Sequence, residues 1–473
     1  METADGKKEG ASADVCQNAS CSSGEKSAQQ QGGSYGQRTE ADHAPEGRAR
    51  GGTPIQAAIV GICAGLVVGA FRLVHETTGA RITQWLHEGR EYWWTAPLWT
   101  LCAIVLACVT GLMLRRWPLI GGSGIPHVEA ALAGRISMRW KRILAPKFAG
   151  SMLALWGGLS LGREGPCIQM GAAVGRALGL CWGEVALPGN RAVIGGAAAG
   201  LAAAFGAPLA GVLFVFEEMK CRLSLSLAVM VGLASFAAWV ALRLIFGMGQ
   251  ILPFNAFAAP DLRDPRQLLL VAVFGVIMGV MGALYNVMLI AMKHRYDRQR
   301  LTPAWLKPLW PFLAGVGLAF TLPAVLGGGD SLIIALSDTP FSLRMLIILM
   351  LVKLAFSLFS FSCGAPGGLL MPVLCIGALM GAVFGHAAVT LDLLAPSEIN
   401  AFLVFGMAAC FAGAVRAPLT GIALCVEMSG ATACLPGLLL AGLLAAVTAD
   451  LLRSEPVYIT LRKDLLRNPP PGA

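Results

Sequence analysis

The chain has 473 residues, 56% hydrophobic and 13% charged, with a mean hydropathy of +0.67. An ordinary soluble domain carries about 25% charged residues, so this composition excludes a water-solvated globule and points to a chain bathed mostly in lipid. The net charge of +9 does not indicate nucleic acid, because the basic residues sit in short clusters between apolar stretches.

Residues 1–54 are rich in Gly, Ser, Gln and charge and hold no apolar run. They are expected to form a disordered cytoplasmic tail without a signal peptide. Asn18-Ala19-Ser20 fits a glycosylation acceptor, but a cytoplasmic tail does not meet that enzyme, so the match is read as chance. Residues 55–74 and 97–114 are apolar stretches long enough to span a bilayer. Later segments are cut by Gly and Pro, as over 196–216, 364–389 and 405–428. Interrupted segments in corresponding halves of a chain mark a transport site built from broken helices.

Arg115-Arg116 and the basic clusters at 135–147, 220–222, 293–300 and 453–467 are expected in cytoplasmic loops. The loop 247–265 has only Arg263 against Asp261 and Asp264 and is placed outside; Arg81 and Arg90 run against the tally. Residues 453–473 read as a short C-terminal helix and tail carrying Tyr458. The thirteen cysteines are scattered singly, and the six histidines lack metal-ligand spacing. The cysteines read as small buried hydrophobes, and no metal or cofactor is expected.

An internal repeat divides the chain. GAAAGLAAAFGAPLAGVLFVFE (196–217) aligns without gaps on GMAACFAGAVRAPLTGIALCVE (406–427), with ten of 22 positions identical. Upstream, both halves carry Gly-x-x-x-Pro, at 162–166 and 368–372. The halves are taken as about 55–245 and 266–452, with a site expected where they meet.

An anion crossing lipid must shed water and find positive potential without being trapped by a full charge. Helix N-termini offer this through free backbone N–H groups and the dipole. Three Gly/Pro breaks suit such termini: Gly122-Ser123-Gly124-Ile125-Pro126, Gly162-Arg163-Glu164-Gly165-Pro166, and Gly367-Gly368-Leu369-Leu370-Met371-Pro372. Pro is tolerated in a first turn because its missing N–H is not needed there.

These motifs in this order, with Ala-Pro-Leu-Ala-Gly ahead of Glu217-Glu218 and a tyrosine near the C-terminus, resemble the CLC family of chloride channels and proton-coupled chloride transporters, over residues 54–467. The resemblance implies an all-α membrane fold of tilted, broken helices in two inverted repeats, with a pore in each subunit of a homodimer. It implies the compact prokaryotic form, embedded in the cytoplasmic membrane with both termini inside and no cytoplasmic CBS-type domain. Ser123 and Tyr458 would offer hydroxyls to a central chloride, and backbone amides at Gly124, Ile125, Leu369 and Leu370 would complete its shell. The family's usual Ile-Phe-Ala is replaced by Leu369-Leu370-Met371, a change that backbone contacts should tolerate. His127 stands where many members have an acid, with no role assigned.

Glu164 would be the external gate: ionised it mimics the anion, protonated it swings away, and so it would carry the proton. Glu218 would be the internal proton acceptor. Its presence favours exchange over passive conduction, since channel members generally lack it. Gly162, Gly165, Pro166, Gly368 and Pro372 would shape the turns, and Arg163 is expected to position the Glu164 loop. Glu217 and its repeat twin Glu427 are read as holding helices together, and Glu129 and Lys353 as members of structural ion pairs. A carboxylate at the centre of a membrane helix costs about 2.5–3.5 kcal/mol, so a function is its default reading. The expected partners are chloride, protons, lipid and a second copy of the chain. The alternatives are a passive chloride channel and, more remotely, a rhomboid-like protease with Ser123 in Gly121-Gly122-Ser123-Gly124 and His386 as its dyad.

Overall fold

The computed structural model describes residues 53–469 apart from 253, 255–257 and 301. The tail expected over 1–54 therefore falls outside the described residues up to 52, as does the Asn18 acceptor. Thr53 and Pro54 belong to a helix start instead: Thr53 forms a capping box with Gln56, and Pro54 takes the first helical position.

The first half runs α1 (Pro54–Glu88), α2 (Thr95–Arg116), α3 (Ile125–Leu132), α4 (Leu144–Trp156), α5 (Glu164–Cys181), α6 (Arg191–Phe205), α7 (Pro208–Glu217) and α8 (Leu225–Phe246). The second half repeats that order as α9 (Pro265–Arg298), α10 (Leu309–Thr321), α11 (Asp330–Asp338), α12 (Leu343–Ser362), α13 (Leu370–Thr390), α14 (Ile399–Val415), α15 (Pro418–Ser429) and α16 (Leu435–Leu451). The closing helix α17 (Val457–Arg467) has no counterpart among the described residues. Many starts are local: Asn190, Ser224, Asp264 and Ser342 cap α6, α8, α9 and α12 with side-chain oxygens.

Packing follows the repeat. α5 lies on α6 as α13 lies on α14, and α1 and α6 pack on α8 as α9 and α14 pack on α16. Among the described residues, eight helices are long and apolar enough to cross a membrane. Large apolar side chains such as Ile55, Leu101, Leu244, Leu269 and Leu351 stand exposed on them, as lipid-facing positions should. The chain is an all-α, multi-pass membrane protein.

Two matched devices recur in the two halves, and the first of them joins the halves. α7 and α15 each open on Pro, which has no N–H to satisfy, and their Ala207 and Ala417 caps supply no side-chain oxygen. The carboxylate of Glu427 at the end of α15 accepts from the Leu209 and Ala210 N–H groups, both at 2.9 Å. Reciprocally, Glu217 at the end of α7 accepts from the Leu419 N–H at 3.1 Å, the Thr420 N–H at 2.6 Å and the Thr420 hydroxyl at 2.7 Å. From Gly211 and Gly421 onward the backbone ladder takes over, so every first-turn donor is accounted for.

The second device is a pair of buried lysines. Lys147 on α4 donates to the Ile120 and Gly122 carbonyls, both at 2.7 Å, and Lys353 on α12 donates to those of Val325 at 3.0 Å and Gly327 at 2.7 Å. These contacts correct two expectations. Lys147 belongs to no cytoplasmic cluster, being fully buried, and Lys353 satisfies its ammonium with carbonyls rather than a carboxylate bond. Glu129 does join an ion pair, with Arg462 at 3.8 Å. The two arginines that strained the charge tally are on or beside α1: Arg81 lies within it, and Arg90 donates to the Ala319 and Phe320 carbonyls that end α10.

Candidate functional site

Three irregular turns are tied to one another. The Gly122 N–H donates to the Gly364 carbonyl and the Gly367 N–H to the Gly122 carbonyl, each at 3.1 Å. Gly162 and Gly368 exchange bonds in both directions, at 2.7 and 2.6 Å, in an antiparallel bridge. That bridge pairs corresponding residues of the two repeats, so it sits where their symmetry relation crosses the chain. The starts of α3, α5 and α13 are thereby fixed around one region, and α17 packs on α3 to bring in Tyr458.

Glu164 opens α5 and is fully buried. Its Oε1 accepts from the Leu370 N–H at 2.7 Å and from the Met371 N–H at 3.3 Å. A carboxylate of one repeat thus occupies the N-terminus of the equivalent helix in the other. Both donors lie in the first turn of α13, where Leu369 is the cap residue and Leu370 the first helical residue. A Cβ on Gly368 would land on the Glu164 carboxylate, so only glycine leaves the carboxylate its place.

Ser123 is buried ahead of Gly124, whose φ of 92° turns the chain into α3 at Ile125. Gly165 lets this turn approach α5 closely, since a Cβ there would stand 2.5 Å from both the Ser123 carbonyl oxygen and its Oγ. Pro166 and Pro372 sit in the first turns of α5 and α13, where no N–H is lost from the ladder. The Tyr458 hydroxyl neighbours Ser123 and feels both Glu164 and Glu218. Ser123 Oγ, Tyr458 Oη and Glu164 Oε2 are all buried without a hydrogen-bond partner. An unmet buried polar atom costs about 1–3 kcal/mol, and two hydroxyls beside a helix N-terminus can direct their protons to one anion.

Glu218 ends α7, buried, beside Glu129, Lys220 and Arg462. His127 lies on α3 near Lys147, its Nδ1 buried and without a partner. His386 bonds the Ala382 carbonyl of its own helix at 2.9 Å, and no hydrogen bond joins it to Ser123 among the described residues. The protease dyad has no geometric basis.

Three residues near the site escaped the sequence reading. Gln169, on α5, donates to the Leu119 carbonyl at 2.9 Å and leaves Oε1 without a partner, and its side chain lies where a Cβ on Gly124 would fall. Tyr285 on α9 is buried with an unpartnered hydroxyl in the field of Glu164. Lys147 holds the Gly122 carbonyl next to Ser123. Each is a polar group inside an apolar helix, which is the signal that could have found them.

Comparison with known proteins agrees with this arrangement. The profile of the family described as voltage gated chloride channel matches residues 105–450. An H(+)/Cl(-) exchange transporter, ClcA, of Vibrio parahaemolyticus is 35% identical over 442 residues, covering 89% of this chain and 92% of that protein. Its namesake from Vibrio campbellii is 35% identical over 444 residues, with the same coverage. The crystal structure of a slow cyanobacterial Cl-/H+ antiporter superposes with a TM-score of 0.81 at 28% identity, over 88% of this chain and 98% of that one. With the profile spanning most of the chain and the relatives aligned nearly end to end, this protein belongs to the voltage gated chloride channel family.

Proposed function

We propose that the protein is a secondary active transporter that exchanges chloride for protons, with Glu164 as gate and proton carrier. The observation that carries this is the Glu164 carboxylate seated on the α13 N-terminus, bonded to the Leu370 and Met371 amides. An anionic oxygen there stands in for the transported anion. Protonation removes the charge that those two N–H groups and the helix dipole hold, so the side chain leaves and chloride can take its place.

In this reading Ser123 and Tyr458 donate their hydroxyls to a central chloride, helped by amides at Gly124, Ile125, Leu369 and Leu370. Arg163, Gly162, Gly165, Pro166, Gly368 and Pro372 hold the turns. Glu218 receives the proton from the other side, and the pair of carboxylates makes coupling rather than simple conduction the favoured outcome. The proposal extends to a homodimer in the cytoplasmic membrane, both termini inside. Apolar side chains exposed on α7, α8, α15 and α16, such as Leu209, Leu225, Phe236 and Leu419, offer a face for the second copy.

The test is a paired flux measurement on the purified protein in proteoliposomes. An imposed chloride gradient should drive protons against their own gradient. Chloride movement without any proton movement would overturn the exchange reading and leave a passive channel.

A further inference from the structure

Arg163, immediately before Glu164, is held by carboxylates from both halves of the molecule. Its Nη1 lies 2.9 Å from Glu76 Oε1 on α1 and 3.8 Å from Asp330 Oδ2, at the first residue of α11. Glu76 is anchored in turn, because the same Oε1 accepts from Arg72 Nε at 3.3 Å. Arg72 is buried within α1 and donates through Nη1 to the Ala203 carbonyl in the last turn of α6, at 3.1 Å. A continuous set of bonds thus runs from α6 through Arg72, Glu76 and Arg163 to α11.

The repeat shows why this set is one-sided. Asp330 opens α11 where Ile125 opens α3, and Arg163 caps α5 where Leu369 caps α13. The first half leaves its short helix facing the chloride site with Ser123 ahead of it. The second half instead puts a carboxylate into the first turn of its short helix and meets it with a guanidinium. Arg163 is therefore no free cation: two arginines face two carboxylates. The other titratable groups around them are His75, which neighbours Arg163, Asp330 and Glu76 with its Nδ1 buried and unpartnered, Cys167 beside Arg163, and Lys353 beside Asp330.

The geometry points to Glu76 and Asp330 as positioning residues for the gate: clamping Arg163 from the two halves, they set the turn from which Glu164 reaches the α13 N-terminus. Arg163 is the N-cap residue of α5 and makes no side-chain cap bond. Its side chain is thus committed to the clamp, and movement of that side chain is passed through one peptide to Glu164. The inference rests on Glu164 being the gate.

The experiment measures chloride and proton flux against pH in proteoliposomes for Glu76→Gln and Asp330→Asn, each in the natural chain and in a Glu164→Gln background. Asp330→Asn is the gentler change, since Glu76 also holds Arg72. In the natural chain, each should raise the chloride-to-proton ratio about two- to fivefold, the scale of a partly exposed ion pair, and displace the pH profile of chloride flux. In the Glu164→Gln background neither should change chloride flux or its pH profile, because the group being positioned is gone. Asp330→Glu, which keeps the charge, should restore the ratio. An equal loss of flux in both backgrounds would show a structural or anion-attracting role and overturn the proposal. So would an unchanged ratio and pH profile in the natural chain. If Glu164→Gln alone keeps full coupling, the gate reading itself fails, and the clamp has nothing to position.

Discussion

Replacing Glu427 by Ala removes both acceptors from the first turn of α7, where Leu209 and Ala210 donate at 2.9 Å. The N-cap offers no replacement acceptor, since Ala207 makes no side-chain cap bond. A hydrogen bond to a charged group contributes about 1.5–3 kcal/mol. Two such bonds give a ceiling near 6 kcal/mol, and the 55% exposure of Leu209 lets outside groups replace part of it, leaving a cost of about 2–4 kcal/mol. Glu427→Gln keeps an oxygen in place and loses only charge assistance, about 1–2 kcal/mol. Glu217→Ala should cost at least as much as Glu427→Ala, because Glu217 also accepts from the Thr420 hydroxyl. The two carboxylates lie at opposite ends of a ten-residue helix, about 15 Å apart by helical rise, so their effects should add to within about 0.5 kcal/mol. Equilibrium unfolding in mixed micelles, followed by tryptophan fluorescence, reads these three variants and the Glu217→Ala, Glu427→Ala double variant. The accounting is refuted if Glu427→Ala leaves the midpoint where it was, or if Gln costs as much as Ala.

Glu164→Gln should end proton flux while chloride still passes. Losing charge assistance from two N–H bonds, at roughly 1 kcal/mol each, lowers occupancy of the α13 N-terminus about 30-fold; surviving coupling in paired fluxes would contradict it. Ser123→Ala should weaken chloride binding by about tenfold, the scale of one hydrogen bond to an ion, with transport still measurable; unchanged affinity by titration calorimetry would remove Ser123 from the site. Gly165→Ala should push the Ser123 turn away from α5 and weaken chloride binding more than Ser123→Ala does, with the helical circular dichroism retained. Equal affinities for Gly165→Ala and the natural chain would show that the close approach is not needed.

Much of the site could be read from residues because its parts are local. A Gly/Pro break ahead of an apolar run starts a helix wherever it lies, so α3, α5 and α13 could be foreseen from their own turns. Glu164 stood out because an acid in an apolar helix is costly without a use. What escaped the reading depended on partners far along the chain. Glu164 meets Leu370, 206 residues on, and nothing near either residue announces that meeting. Lys147 was grouped with its basic neighbours because a count of charges carries no information on burial. The partners of Lys353 and Glu76 are likewise set by packing between helices within a half, and that of Asp330 by packing between halves.

The amino-acid sequence alone determined a lipid-dissolved chain of two repeated halves, with Gly/Pro breaks that start helices. Composition, Gly/Pro punctuation and internal likeness are all expressed within short stretches. Only the tertiary structure decided which N–H groups hold Glu164, which carboxylates clasp α7 to α15, and which residues grip Arg163. Those choices depend on distances between segments brought together by burial, and hydrogen-bond and ionic energies exist only once that approach has been made.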